Sequence, residues 1–202
     1  MRLKTEERRR AIMDAAKALF LAHGYAATSM SEVSARSGGS KQTLYNYFKS
    51  KESLFVAVMM ERGAKRVSLL FSRLGEHEDL RADLTAFGVA FLTFVMDEEI
   101  SAFRRVILAE GARFDLGRLY FESGPKQDWL RVASYFELLM HKGVMRQADP
   151  WTAAMHLEGL LEAGPFQRYL EGSCDRASSD EVEETVQAAI DVFQRAYAVE
   201  TD

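Results

Sequence analysis

The amino-acid sequence predicts an all-α protein, and three observations support this fold class. Apolar residues recur at the i, i+3, i+4 spacing of amphipathic helices, and alternating apolar and polar runs of strand type are absent. Only three prolines and 13 glycines interrupt the 202 residues, so long helices are expected. Apolar residues make up 48% and aromatic residues 11% of the chain, which is typical of a folded protein with a core.

Two short helices joined by a glycine-bearing turn are expected near the start. The segment Ser29-Met30-Ser31-Glu32 has the pattern of a capping box and begins the first of them, which stops at Gly38-Gly39. The second spans residues 40–48, where Leu44 and Phe48 share one face. Because so short a helix is marginal in water on its own, this face must rest on a scaffold.

A longer helix over residues 5–23 should provide that scaffold. Thr5 can cap its N-terminus, and Gly24 can end it. Its apolar stripe, which includes Leu19 and Phe20, should pack against the two short helices.

Two short helices with this turn form a helix-turn-helix, whose second helix enters the major groove of DNA. The polar side of the second helix carries amide, hydroxyl and ammonium groups that suit base edges and phosphate oxygens. On residue types alone, a helical hairpin with a merely solvated polar side is an equal alternative. The expected DNA contacts are Ser40, Lys41, Gln42, Thr43, Tyr45, Asn46, Tyr47 and, at the start of the next helix, Lys51.

The distribution of charge favours the DNA-binding interpretation. Residues 1–66 carry 13 Lys and Arg against 6 Asp and Glu, whereas the rest of the chain carries 13 against 24. A basic N-terminal part on an acidic remainder is expected when only the first part binds phosphate. DNA affinity should therefore depend strongly on salt, because each neutralised phosphate releases counterions.

These segments also resemble a known family. The resemblance lies in Gly24-Tyr25, Thr28-Ser29-Met30, residues 37–48 and Ser50-Lys51-Glu52-Ser53-Leu54, which look like the DNA-binding domain of the tetracycline-repressor (TetR) family of bacterial transcriptional regulators. It covers about the first third of the chain and implies a phosphate contact by Thr28. The chain departs from the family pattern at Gly39, where an aliphatic residue is usual, and at Gln42, where Gly is frequent. The Gln42 side chain could read a base.

The remaining sequence is predicted to form further helices, about nine in all, in two domains. A helix-turn-helix domain is expected over residues 1–50, and a helical regulatory and dimerisation domain over residues 51–202. The expected helices cover residues 51–74, 80–96, 98–113, a short piece through 116–121, 125–142, 150–172 with a kink at Pro165, and 179–199, the last preceded by a capping box of Ser178 and Glu181.

The last two predicted helices are interpreted as a subunit interface, in which two helices from each subunit form a four-helix bundle. The resemblance implies this arrangement, and a dimer would set two recognition helices ~34 Å apart, in successive major grooves. Packing within one chain is the competing use of the same apolar stripe. The expected interface residues are Met155, Gly159, Leu160, Ala163, Phe166, Val186, Ile190 and Phe193.

The aromatic residues between these regions predict a pocket for an apolar or aromatic small molecule, because apolar pockets between helices are common binding sites. Glu110 and Arg113 could orient the ligand. A plain aromatic core is the alternative. The expected pocket residues are Phe91, Phe94, Phe103, Ile107, Glu110, Phe114, Trp129 and Phe136.

Other functional classes find little support in the sequence. No GxGxxG after a strand, Walker lysine, HExxH or GxSxG pattern occurs, so an enzyme is not expected. The four histidines stand far apart, so neither a metal site nor a cofactor is expected. The chain has no run of 18 apolar residues and no apolar signal core at its N-terminus, which predicts a soluble, cytoplasmic protein.

The sequence thus predicts a dimeric, sequence-specific transcriptional regulator that binds palindromic double-stranded DNA. We expect a repressor that an apolar or aromatic effector releases from its operator. The alternatives are a regulator without a small-molecule inducer, either an activator or one that responds to oxidation through Cys174, and a basic protein that binds nucleic acid without sequence preference.

Overall fold

All regular structure in the described part of the chain is α-helical. The computed structural model describes residues 2–72, 74–75, 79–112 and 114–199, in which eleven helices and no strands occur. The helices are α1 (Arg2–Ala27), α2 (Met30–Arg36), α3 (Lys41–Tyr47), α4 (Lys51–Ser72), α5 (Leu80–Val95), α6 (Glu98–Glu110), α7 (Leu116–Ser123), α8 (Pro125–His141), α9 (Pro150–Glu162), α10 (Pro165–Glu171) and α11 (Ser179–Tyr197). The all-α prediction is confirmed.

Helix α1 is longer than the sequence predicts. It begins at Arg2, so Thr5 lies within the helix and does not cap it. At the other end Gly24 interrupts the helix with φ 79° and ψ 167°, and helical geometry then resumes as far as Ala27. Glycine adopts a positive φ without a Cβ clash, which explains why the regular helix breaks at this residue.

Local capping signals predicted the starts of α2 and α11 correctly. The Ser29 and Ser178 hydroxyls each accept a hydrogen bond from the backbone N–H three residues later. The carboxylates of Glu32 and Glu181 accept from the capping residues' own backbone N–H groups, each at 2.8 Å. Both capping boxes are therefore present.

The single kinked helix predicted over residues 150–172 is wrong, because two helices occupy this range. Helix α9 ends at Glu162, and Gly164 follows with φ 81°. Pro165 is the first residue of α10, where its missing N–H leaves no hydrogen bond unmade. Together the positive φ and the proline prevent the first helix from continuing. This division helps to explain why the described residues form eleven helices where about nine were predicted.

The chain divides into two units, which differ from the predicted domains. The first unit contains residues up to 63 together with residues 102–124, and the second contains residues 64–101 together with residues from 125 onward. The beginning of α4 and the segment 102–124 thus belong with the first three helices. The predicted boundary after residue 50 does not coincide with this division.

Each unit has its own hydrophobic core. In the first unit, buried residues of α1 to α4 cluster with Phe103 and Leu116. In the second, residues of α5, α8, α9 and α11 surround Phe87, Phe136 and Phe193, which are fully buried. No helix in the described ranges is long and apolar enough to cross a membrane.

Candidate nucleic-acid interface

Helix α3 has only seven residues and is stabilised by hydrogen bonds at both ends and by two side chains that are buried in the core. The Ser40 hydroxyl accepts a hydrogen bond from the backbone N–H of Thr43 at 3.0 Å, which satisfies one unpaired donor of the first turn. At the other end the Phe48 N–H donates to the Leu44 carbonyl at 2.9 Å. The side chains of Leu44 and Phe48 are 1% and 5% exposed and belong to the core of the first unit. The predicted scaffold behind this helix is confirmed.

Hydrogen bonds from a buried serine fix the turn that precedes α3. Ser34 is 4% exposed, and its hydroxyl donates to the carbonyl of Gly39 at 2.8 Å. In return the Gly39 N–H donates to the Ser34 carbonyl at 3.2 Å, as does the Ser37 hydroxyl at 3.2 Å. Backbone groups of the turn are thus paired within the protein, and the turn has a defined conformation.

The side of α3 opposite the core carries the side chains that the sequence assigned to DNA. Lys41, Gln42, Tyr45 and Asn46 are exposed, whereas Thr43 and Tyr47 are half-buried. The Gln42 amide nitrogen donates to the Asn46 side-chain oxygen at 3.3 Å, so these two amides form a pair on one exposed stripe. Amide side chains can donate and accept together at the edge of a base, and the ammonium of Lys41 suits a phosphate or a guanine edge.

The ammonium of Lys51, one of the expected DNA contacts, is hydrogen-bonded within the protein. Its Nζ donates to the carbonyls of Tyr25 at 2.9 Å, Thr28 at 3.1 Å and Ala26 at 3.4 Å. The same atom lies 4.3 Å from the centre of the Tyr25 ring, within the range of a cation–π interaction. An ammonium has three protons, so these three carbonyls match its donor capacity. The structure therefore favours an internal role for the Lys51 ammonium, and a DNA contact by this residue stays a prediction.

Thr28 is likewise directed into the protein. Its side chain is 2% exposed, and its hydroxyl donates to the Gly24 carbonyl at 2.8 Å. A phosphate contact by this hydroxyl, which the family resemblance implied, does not fit this position. The Thr28 hydroxyl instead ties the residues after the break in α1 back to the Gly24 carbonyl, and the Thr28 carbonyl accepts a hydrogen bond from Lys51.

Tyr25 joins this end of α1 to the start of α4. Its hydroxyl donates to a carboxylate oxygen of Glu52 at 2.9 Å, and its ring contacts Phe20, Phe55 and Phe114. Burial, together with the hydrogen bond to Glu52, raises the pKa of Tyr25 above its ordinary value, so the phenol remains a donor even in mildly alkaline solution. Sequence reasoning missed this role, although the pair Gly24-Tyr25 was part of the resemblance.

The eight residues predicted to line a ligand pocket are not brought together within either unit. Phe103 packs against Phe55 in the first unit, with ring centres 5.2 Å apart, and Phe91 packs against Trp129 in the second, at 5.4 Å. The set divides into Phe103, Ile107, Glu110 and Phe114 in the first unit and Phe91, Phe94, Trp129 and Phe136 in the second. Most of these aromatic rings form core, as the alternative interpretation held. Arg113 lies outside the described residues.

The second unit has a surface groove whose lining includes one of the eight predicted pocket residues. Phe94 is among the residues that line this groove, which has a volume of about 620 Å³. Its walls come from α4, α5 and α11, and they are Leu69, Leu70, Thr85, Ala86, Val89, Ala90, Thr93, Phe94, Glu183 and Gln187.

Half of the predicted subunit interface is also part of the core. Phe166, Val186, Ile190 and Phe193 are at most 1% exposed in the single chain, so they are not available to a partner. The apolar stripe of α11 therefore packs within the chain, which corrects the prediction. The other four residues, Met155, Gly159, Leu160 and Ala163, are half-buried or exposed on α9 and on the link that follows it.

Among the described residues, no group of three or more His, Cys, Asp or Glu side chains is placed to hold a metal ion. Cys174 is half-buried, with its sulfur 3.9 Å from the Pro165 carbonyl oxygen.

The fold and the exposed face of α3 define a helical DNA-binding protein of the helix-turn-helix class. Comparison with known families agrees: residues 12–58 match the family described as bacterial regulatory proteins, tetR family, and residues 82–199 match the C-terminal domain described as that of an AefR-like transcriptional repressor. The chain belongs to the TetR family of bacterial transcriptional regulators. Proteins of this family are DNA-binding regulators, and the matched relatives are named as regulators rather than enzymes.

Two solved structures resemble the whole chain. One is a TetR-family transcriptional regulator from Mesorhizobium loti, with 32% identity and a TM-score of 0.82 over 96% of this chain and 98% of that one. Another is the flavonoid-responsive regulator FrrA, with 29% identity and a TM-score of 0.79 over 97% of this chain and all of FrrA. A curated relative, the transcriptional activator FasR from Mycolicibacterium smegmatis, is 37% identical over 94 residues, which are 46% of this chain and 43% of FasR.

The different positions of Lys41 and Lys51 lead to a first prediction. Lys51→Met removes the cation from three carbonyls and should lower the free energy of unfolding by about 2 kcal/mol, the order expected for hydrogen bonds to a charged group. Lys41→Met, on the exposed face, should change it by less than about 0.5 kcal/mol. Urea denaturation of both variants measures the difference. Equal stabilities for the two variants would contradict the internal role of Lys51.

Proposed function

We propose that the protein is a dimeric repressor that binds palindromic operator DNA through the exposed face of α3 and leaves it when a small aromatic or apolar effector binds. The observation that supports DNA reading most directly is the arrangement of α3. Two buried side chains, Leu44 and Phe48, fix the helix, while Lys41, Gln42 and Asn46 project from its other side. The exposed groups are amides and an ammonium, which can pair with base edges and phosphate oxygens.

The charge of the N-terminal segment supports the same conclusion. The excess of Lys and Arg lies within residues 1–66, which contain the whole helix-turn-helix. Electrostatic attraction to phosphates supplies most non-specific affinity, and base contacts add specificity to it. We expect the same division here, with cations of this segment giving salt-dependent affinity and the α3 amides giving sequence preference.

Dimerisation is supported by a face of α9 that the core does not use. Thr152, His156 and Gly159 are exposed on this face, and Met155 is half-buried beside them. The face lies next to α11, because a ring nitrogen of His156 is 2.6 Å from the Tyr197 hydroxyl. Apart from its chain neighbours and the backbone of its own helix, no described residue lies within 4 Å of a Cβ built on Gly159, so a second α9 could approach closely there. A two-fold dimer would match the symmetry of a palindromic operator.

The outer side of α11 extends this surface. Ala188 and Ala196 are exposed, and Val192 is 50% exposed between them. An exposed valine between two small residues is suited to helix–helix packing between subunits. We therefore replace the predicted set Phe166, Val186, Ile190 and Phe193 by this outer stripe together with the exposed face of α9.

The groove of the second unit is our candidate effector site. Its lining combines apolar side chains, among them Leu70, Val89 and Phe94, with the Glu183 carboxylate and the Gln187 amide. This combination suits an apolar or aromatic molecule with a few hydroxyl groups. FrrA, which resembles the whole chain, is named as flavonoid-responsive, and this makes a flavonoid the first probe to use. Such a ligand can lower DNA affinity only as far as it prefers the state that does not bind DNA.

The relatives differ in the direction of regulation that their names state. The match to an AefR-like transcriptional repressor covers residues 82–199, whereas FasR, matched over less than half of its length, is named an activator. The broader match favours repression. The redox alternative through Cys174 and the cytoplasmic location remain predictions.

Selection of duplexes from a random pool tests operator binding. We expect a palindromic consensus and a discrete footprint that survives competitor DNA. Gln42→Ala and Asn46→Ala should each weaken binding to this consensus by about tenfold to a hundredfold, because a good amide–base contact contributes about 1–3 kcal/mol. Ser134→Ala, an exposed change on α8, is the matched control. Binding without sequence preference would contradict the proposal.

A substitution at Gly159 tests the dimer. Gly159→Arg should fold, since the space around Gly159 is open, but should place two like charges and two long side chains at the two-fold axis. Analytical ultracentrifugation should then show monomers, whereas the wild type and Gln127→Arg, an exposed change on α8, should sediment as dimers. A monomeric wild type, or a dimeric Gly159→Arg protein, would show that this face is not the interface.

Release from DNA tests the effector site. A flavonoid such as naringenin, titrated into the complex with the selected duplex, should dissociate it and raise the melting temperature of the free protein. Ala90→Trp, which fills the groove, should abolish both responses and leave DNA affinity unchanged. If a series of flavonoids neither releases DNA nor stabilises the protein, the proposal fails for this ligand class, and release from the Ala90→Trp protein would place the site elsewhere.

A further inference from the structure

An arginine of α1 reaches the turn of the helix-turn-helix. The Arg8 guanidinium nitrogen Nη1 donates to the Ser37 carbonyl at 2.6 Å, and the side chain is half-buried. Ser37 is the C-cap residue of α2, and carbonyls at the end of a helix have no partner within that helix. A cation is also favoured there by the partial negative charge of the helix end.

The position of this guanidinium depends on the absence of a side chain at residue 39. A Cβ atom built on Gly39 would lie 2.8 Å from Cζ of Arg8 and closer still to its Nη2 nitrogen. The guanidinium therefore occupies the space that any other residue would need for its side chain. Arg8 and Gly39 are complementary, although they stand 31 positions apart.

The contact is made at a point that determines the direction of α3. Gly39 is followed directly by Ser40, the N-cap of α3, and its carbonyl accepts a hydrogen bond from the Ser34 hydroxyl at 2.8 Å. The next residue of α1, Arg9, lies over the Phe48 ring, with Cζ 5.4 Å from the ring centre. Two consecutive arginines thus contact the residues that precede and follow the recognition helix.

We propose that Arg8 is a positioning residue for DNA recognition. Its guanidinium holds the α2–α3 turn in place through the hydrogen bond to Ser37 and by filling the space, here called the Arg8 seat, that Gly39 leaves open. In this role it acts through the orientation of α3, and its cation does not serve as a phosphate ligand. The inference rests on the proposed operator binding and adds a residue outside the helix-turn-helix to the determinants of specificity.

The interaction makes a distinct prediction for Gly39→Ala. The group that the new methyl would displace is the flexible end of a side chain, so the variant should fold and lose only the seat of Arg8. Arg8→Met keeps most of the side-chain length and loses the donor. If the two residues act through the same contact, each single variant should weaken binding to the selected duplex by about tenfold. The double variant should then bind this duplex no more weakly than either single variant.

Salt dependence separates positioning from phosphate contact. Removal of a cation bound to phosphate lowers the slope of log affinity against log salt by about 0.9. Arg8→Met and Gly39→Ala should therefore keep the wild-type slope and broaden the selected consensus in the same way. Arg10→Met, an exposed change on α1, is the control for general loss of charge. Arg8→Met and Gly39→Ala should lower the melting temperature by a similar amount, because each loses the hydrogen bond to the Ser37 carbonyl, and both should remain folded in the binding assay.

Three outcomes would overturn the proposal: additive losses in the double variant, a reduced salt slope for Arg8→Met alone, or a Gly39→Ala protein with wild-type affinity and consensus. A readout without DNA keeps the test independent of operator binding. The Nη–H signals of the Arg8 guanidinium in the NMR spectrum should be shifted and slow to exchange in the wild type, because Nη1 donates to Ser37, and should become solvent-like in Gly39→Ala. If that change occurs but no specific duplex is found, the proposed operator binding is contradicted while the contact between Arg8 and the turn is supported. An unchanged signal would contradict that contact itself.

Discussion

The recognition helix is too short to be stable alone, and this constraint explains much of the first unit. Seven residues form few internal hydrogen bonds, whereas isolated helices need roughly 12–15 residues to be even marginally stable. Burial of Leu44 and Phe48, which contributes about 1.5–3 kcal/mol each, can offset that deficit. The helix is therefore as rigid as the core beneath it, and its polar side is free to face DNA.

Polar contacts around this core join segments that are distant in sequence. The Lys51 ammonium ties the start of α4 to the carbonyls after the Gly24 break, and Tyr25 ties the same break to Glu52. These bonds join groups 23 to 27 positions apart, and they use a cation that would otherwise be available to phosphate. In this protein, two of the residues expected to bind DNA, Lys51 and Thr28, therefore stabilise the structure that presents α3.

The sequence predicted best those features that depend on neighbouring residues. Capping boxes, the buried face of α3 and most helix limits follow from patterns within a few positions, and the structure confirms them. Partners distant in sequence were not predictable. Periodicity showed that Val186, Ile190 and Phe193 form one buried stripe but not that α11 turns it toward its own chain. Likewise, the abundance of aromatic residues did not reveal that rings such as Phe103 and Trp129 fill the cores.

Hydrogen exchange of the α3 amides in the free protein tests the central claim most directly. The N–H groups of Leu44 and Phe48 donate within and at the end of the helix at 3.1 and 2.9 Å. If the core holds α3 in place before DNA arrives, these amides should exchange within about tenfold of the slowest amides of α1, through the same global opening. Exchange at the rate of an unstructured chain would mean that α3 forms only on DNA and would contradict this account.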